Sequence, residues 1–302
     1  MGILNNTSDG IHGIVAVLYR ALVHFGPTDR AKLIELCSCG LDSGDGAPKV
    51  RNALARWEDL GLFQESPKGM CIPPDLEPHT KDNDAALTEA LRCAVLSIVF
   101  TPRNTQDLWG TEGSSDFARG VAWWLAQDPY RLDTGTQPLL RLERSQVQIA
   151  ERRIVINDVR MSRLGEWAAF LGFTWSAQRG RFTPDPTEAI DRVLEKVLAE
   201  TNQEMPAMEF VQSLAAILPV LDQGSHRRAV EAELRPDVWG ATPEGWVSQT
   251  LGLALRRLES KGRLRLLQRA DVGSALQIPG RGGTSLRALA QFTHVLRTEV
   301  TT

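Results

Sequence analysis

Lysine is almost missing from this chain. Of its 34 basic residues, six are lysine and 28 are arginine, so an arginine cluster by itself marks nothing special here. Cysteine is also sparse, with four residues at Cys37, Cys39, Cys71 and Cys93 and none in the last two hundred positions. That distribution excludes a disulfide framework for most of the molecule and makes a reducing cytoplasm the expected compartment. Cys37-x-Cys39 is not the C-x-x-C knuckle, and no second pair stands at metal-ligand spacing. Structural free cysteines are therefore expected, with no metal and no cofactor. The longest strongly apolar run, "CAVLSIVF", is far shorter than the ~20 residues a membrane helix needs, so no membrane partner is expected. The opening "MGILNNTSDG" has no signal-peptide pattern, and Asn6 stands where N-myristoylation needs Ser or Thr.

Enzyme motifs are missing too. There is no phosphate loop ending in Gly-Lys-Ser/Thr, no G-x-G-x-x-G after a strand, no G-x-S-x-G and no H-E-x-x-H. "DSGDG" at 42–46 lacks the glutamate a calcium loop requires at its end, so a turn between helices explains it better. The expectation is a non-catalytic protein.

What is present is an ordinary globular composition, 42% hydrophobic and 24% charged, over 302 residues, enough for two or three domains. The net charge of −3 argues against a chain uniformly built for nucleic acid. Its distribution is uneven. Residues 1–90 hold 8 basic against 13 acidic residues, 91–200 are balanced, and 251–302 hold 9 basic against 3 acidic, a local +6. A field concentrated at one end matters more for partner choice than the total.

Apolar spacing predicts a helix over "IHGIVAVLYRALVHF", broken at Gly26-Pro27, then "AKLIELC" and "KVRNALARWEDL". "GLFQE" and "MCIPP" follow as a short hairpin. The order recurs near the C-terminus: "AMEFVQSLAAILPVL", "HRRAVEAEL" and "TPEGWVSQTLGLALRRLESK" as helices, with Pro243 in the first turn of the last one. "GRLRLLQR" and "SALQIP" then form a hairpin with its turn at Asp271–Gly273. A weaker third echo lies in "DVRMSRLGEWAAFLGFTWSAQRGRFTPDP", with a helix stop at Gly172 and a hairpin near 172–184. Further helices are expected over "DAALTEALRCAVLSIVF", "SSDFARGVAWWLAQ" and "TEAIDRVLEKVLAE", and residues 72–84 read as a linker.

Three helices followed by a hairpin is the order of winged helix-turn-helix domains, which residues 11–74 and 208–279 resemble. The resemblance implies a mainly α fold with short β-hairpins: an N-terminal winged helix over 1–75, and a helical middle region over 84–200 that would hold a third winged-helix-like unit. A C-terminal winged helix over 207–280 and a tail helix over 281–302 would follow. In such domains the third helix enters the major groove and the wing touches the backbone. Ser248, Gln249, Gly252 and Arg256 would then form the polar face of the C-terminal third helix, with Arg263, Arg265 and Arg269 on the wing. The N-terminal third helix offers Lys49, Arg51, Asn52 and Arg56, but in acidic surroundings that suit a protein partner better. The eight tryptophans, among them the adjacent Trp123-Trp124, are expected to pack between elements, although one of that pair could be an exposed anchor.

Over the whole chain, "ILNNTSDG", "AWWLAQDPY" and the tandem wings resemble the DpdG-type accessory family. It belongs to bacterial gene clusters that install 7-deazaguanine in DNA and restrict unmodified DNA. That resemblance implies a non-catalytic subunit of a phage-defence assembly and carries no catalytic residues over. The leading expectation is a DNA-binding or adaptor subunit contacting duplex phosphates through its C-terminal winged helix. The alternative is a scaffold that docks other subunits without touching DNA, and a second copy of the chain is a further candidate partner.

Overall fold

The structure, a computed structural model, describes residues 2–4, 12–38, 46–79, 83–155, 157–178, 180–270, 275–280 and 288–298. Among these residues it is mainly helical, with eleven α-helices and small antiparallel sheets. The chain divides into two compact units, Met1–Ala118 and Arg119–Thr302. No helix among the described residues is long and apolar enough to cross a membrane.

The first unit opens with α1 (His12–Phe25), α2 (Arg30–Ser38) and α3 (Gly46–Asp59), followed by β1 (Gln64–Ser66) and β2 (Gly69–Cys71). The apolar face of α1 buries Val15, Leu18, Tyr19 and Leu22, and α3 answers with Val50, Leu54 and Trp57. Each such side chain removed from water contributes about 1.5–3 kcal/mol, which holds the three helices together more than their propensity does. Before α2, Thr28 exchanges both backbone hydrogen bonds with Met70, at 3.0 and 2.8 Å, adding a one-residue third strand to the hairpin. Residues 72–84, read from composition as a linker, lie within this unit. The Leu76 carbonyl accepts the Tyr19 hydroxyl at 3.0 Å, and Arg20 pairs with Asp84 at 3.6 Å. Burial, with Cys93 and Glu77 nearby, pushes the Tyr19 hydroxyl up to about 12. Helix α4 (Asp84–Val99) follows, its first turn capped by Asn83, which accepts from the Ala86 amide at 2.7 Å.

Helix α5 (Ser115–Leu125) begins in the first unit, where the Asp116 carboxylate accepts the Ile3 and Leu4 amides at 3.0 and 2.8 Å. In the second unit come α6 (Thr136–Gln146), in a stretch that periodicity left unassigned, and α7 (Asp158–Leu171). Gly172, at φ +88°, closes α7 in the left-handed conformation, which glycine adopts without strain. The chain then turns into the hairpin β3 (Thr174–Gln178) and β4 (Arg181–Pro184). The hairpin folds back onto α7 so closely that a Cβ on Gly165 would stand 2.3 Å from the Phe182 ring. Trp123 and Trp124 are both buried. Trp123 donates to Gln146 at 2.8 Å, and Trp124 meets Phe182 edge-on, with ring centres 6.3 Å apart. Neither is an exposed anchor.

Next stand α8 (Thr187–Val197), β5 (Glu204–Pro206), α9 (Ala207–Ile217), α10 (Ser225–Glu231) and α11 (Gln249–Ser260). Helix α11 starts six residues after Pro243, not at it. Residues 243–246 form a turn in which the Trp246 amide reaches the Pro243 carbonyl at 3.1 Å, and Ser248 then caps the helix. The strands that follow are β6 (Leu264–Leu267), β7 (Leu276–Pro279), β8 (Ala288–Phe292) and β9 (His294–Arg297).

Here the structure departs from the sequence expectation. β6 and β7 do not pair with each other. β6 pairs antiparallel with β9 from Leu264↔Arg297 to Leu267↔His294, and β7 pairs with β8 from Leu276↔Phe292 to Pro279↔Ala288. β9 lies at the centre of a three-stranded sheet in the order β5-β9-β6. Residues 288–297, expected as part of a tail helix, are therefore strand. Phe292 and Val295 are fully buried in the strand register, and long-range pairing overrides a spacing that also fits a helix. The expected turn at Asp271–Gly273 lies outside the described residues, as do Cys39, residues 281–287 and residues 299–302.

Candidate nucleic-acid interface

Five of the C-terminal cations are matched by carboxylates from residues 185–204. Helix α8 presents Glu188, Asp191 and Glu195 at helical spacing. Lys261 pairs with Glu188, Arg263 with Asp191 at 2.6 Å, and Arg297 with Glu195 at 2.8 Å. Arg257 pairs with the buried Asp185. Arg269 grips Glu204 with two hydrogen bonds, 3.0 and 2.8 Å, and holds that carboxyl below its usual range. The local +6 counted along the sequence is thus largely compensated in space by acids that lie before it in the chain.

The predicted site residues separate accordingly. Ser248 is a buried cap: its hydroxyl accepts from the Leu251 amide at 3.2 Å, and its own amide donates to Asp222 at 2.5 Å. Gln249 donates to the Gly280 carbonyl at 3.1 Å, and Gly252 packs under Ile278. The first turns of α11 are therefore covered by β7 rather than forming an open polar face. Arg263 and Arg269 are committed to Asp191 and Glu204. Arg256 and Arg265 are exposed and, among the described residues, make no ion pair. In the first unit, Arg51 and Asn52 are exposed on α3, Lys49 is half-buried, and Arg56 is buried on the core side.

The face of α11 that does look outward carries Leu253, Arg256, Arg257 and Ser260, spaced i, i+3, i+4, i+7 so that they share one stripe. This stripe forms one wall of an open groove of about 580 Å³, completed by Pro129, Tyr130, Trp175, Thr183 and Pro279. Strand alternation explains the opposite wall. On the hairpin, Thr174 and Phe182 turn inward, which leaves Trp175, opposite Thr183, on the outer face and 45% exposed. The Arg257 guanidinium carbon stands 5.8 Å from the centre of the Trp175 ring. Asp185, which anchors Arg257, also accepts the Thr187 amide at 3.1 Å and the Thr187 hydroxyl at the start of α8. The cation is thus held in place by a buried, hydrogen-bonded carboxylate, and an aromatic face beside two guanidinium groups suits an anionic, planar ligand.

The sequence marks Arg256 but not the groove. Trp175 was one tryptophan among eight, and Tyr130 lies in a turn with no periodic signal. Only the packing of the hairpin beside α11 brings them together. Two other groups in this unit are perturbed by burial. Glu143 is fully buried on α6, accepts the Ile154 amide at 2.7 Å, and is raised above the ordinary carboxylate value by desolvation. His226 is lowered by burial on α10. No grouping of three or more His, Cys, Asp or Glu side chains suited to a metal occurs among the described residues.

The family model for DpdG-like proteins matches residues 1–272. The chain belongs to the DpdG-like family. The match takes in both units through β6 and ends before β7, so the strands that complete the C-terminal sheet lie beyond it. Comparison with curated proteins and with solved structures gave no match.

Proposed function

We propose that this DpdG-like chain is a non-catalytic, DNA-contacting adaptor of a bacterial system that modifies DNA and restricts unmodified DNA. In this reading, contact is made by the outward stripe of α11. Membership of the family supports the setting. The element order supports a tandem winged-helix reading of the architecture. Helices α1–α3 precede a hairpin flanked by Thr28, α9–α11 lie between β5 and its sheet partners β6 and β9, and α5–α7 precede β3–β4. The observation that carries the DNA reading is the exposed Arg256 on the third helix, beside an open groove, with Arg265 exposed on the following strand.

Duplex binding followed by fluorescence anisotropy at several salt concentrations tests this proposal. Binding that weakens with salt, and weakens further in the Arg256→Ala/Arg265→Ala variant, is the expected result. Equal, salt-insensitive binding by both proteins would count against it.

A scaffold role for the first unit has its own support. Val17 and Phe25 on α1 and Leu36 on α2 are exposed, Phe25 by 59%, in a region with excess negative charge. Co-purification of the other system components with wild-type protein but not with Phe25→Ser, after nuclease treatment, would bear this out.

A further inference from the structure

The groove beside α11 holds more than a phosphate needs. A phosphate-contacting surface requires a cation, which Arg256 supplies. It does not require an indole left 45% exposed and a tyrosine left 41% exposed on the opposite wall. Arg257 lies over the Trp175 ring, and the 45% of that residue that stays exposed offers a surface on which a further ring can stack.

We propose that the groove is a receptor for an unpaired nucleotide of DNA, with the base stacked against Trp175 and the flanking phosphate met by Arg256. This rests on the DNA-contacting role proposed above and gives it a substrate state. Charge selects the occupant. Acidic groups close in sequence to the groove lining are already engaged: Asp185 by Arg257, Asp133 by Arg181 at 3.4 Å, Asp128 by Arg131 at 3.8 Å, and Glu259 by the Leu266 amide at 3.0 Å. Arg256 is left to bind an anion. Arg257 is fixed over the Trp175 ring and offers a second planar surface at the same point. Ring and guanidinium together recognise a base by its face and not by its hydrogen-bonding edge, so the site would tolerate any base and discriminate on its being unpaired. A base inside an intact duplex cannot present its face, so the ligand is a single strand, a mismatch or an extruded nucleotide.

The test uses the full-length protein with labelled dT12 and a blunt duplex of equal length at matched salt. Wild-type protein should bind dT12 at least as tightly as the duplex. Trp175→Ala should weaken dT12 binding about tenfold while duplex binding stays within about twofold, and Trp175→Phe should retain most of the affinity. In a second readout, dT12 with a central 5-iodouracil should photocrosslink wild-type protein at Trp175 or Tyr130, which needs no variant to fold. Failure to bind dT12, unchanged dT12 binding by Trp175→Ala, or crosslinks confined to other residues would overturn the proposal. If duplex binding persists in those cases, the DNA-contacting role survives without the nucleotide receptor. Trp175-dependent binding of dT12 with no duplex binding supports the receptor and overturns contact with intact duplex. Loss of both overturns both.

Discussion

Arg257 on α11 and Asp185 at the head of α8 form an ion pair in which the carboxylate is buried and the guanidinium reaches out to the Trp175 ring. Because Asp185 also receives both Thr187 donors, it fixes the start of α8 and the position of the groove cation together. Asp185→Ala should therefore lower stability by about 1–3 kcal/mol, through loss of a cap-like acceptor and of a partner for Arg257. Urea denaturation measures this. A midpoint unchanged from wild type would show that the pair is incidental.

The strands after residue 287 are part of the fold. Phe292 is fully buried at the end of β8, where it pairs with Leu276, and β9 stands between β5 and β6. Phe292→Ala should cost about 3–5 kcal/mol, the usual range for emptying a buried aromatic site. Thermal melting that matched wild type would contradict the sheet order described above.

Two buried groups give the stability opposite dependences on pH. His226 has a value below its ordinary 6.5 because burial disfavours the charged ring. Its contribution is present above about pH 6.5 and is lost as pH falls toward the lowered folded value, because the unfolded chain takes up the proton first. Glu143 is shifted upward, so its contribution is present below the ordinary carboxylate value of 4.5 and is lost as pH rises through the raised value. Chemical denaturation between pH 4 and 8 should show His226→Gln losing less stability than wild type on acidification from pH 7. Glu143→Gln should gain on wild type as pH rises above 4.5. Parallel curves for variants and wild type would contradict both assignments.

Much of the helical scaffold was legible in the sequence. Apolar spacing marks α1, α4, α8 and the body of α11, and Gly172 marks the end of α7 because only a left-handed residue lets the chain turn there into β3. What local pattern could not reveal was partnership. "LRALAQFTHVLR" has spacing that suits a helix, and its conversion to β8 and β9 depends on partner residues 9 to 92 positions earlier in the chain. The same holds for the site. Arg263 and Arg269 look identical to Arg256 and Arg265 in sequence, yet the first two are taken by Asp191 and Glu204, which lie on α8 and β5. Trp175 acquires its setting only when the hairpin packs beside α11.

That division of the arginines supports the most direct test of the proposed function. Duplex affinity would be measured against salt for wild type, Arg256→Ala/Arg265→Ala and Arg263→Ala/Arg269→Ala. Loss of the paired residues should lower thermal stability modestly, as expected for partly exposed ion pairs, with duplex affinity and salt slope near wild type. Loss of the unpaired ones should leave melting unchanged, weaken duplex binding at low salt and reduce the slope of log K against log salt by about two. If the paired arginines instead carried the affinity, or if neither variant changed the slope, the account of α11 as the DNA-contacting element would be contradicted.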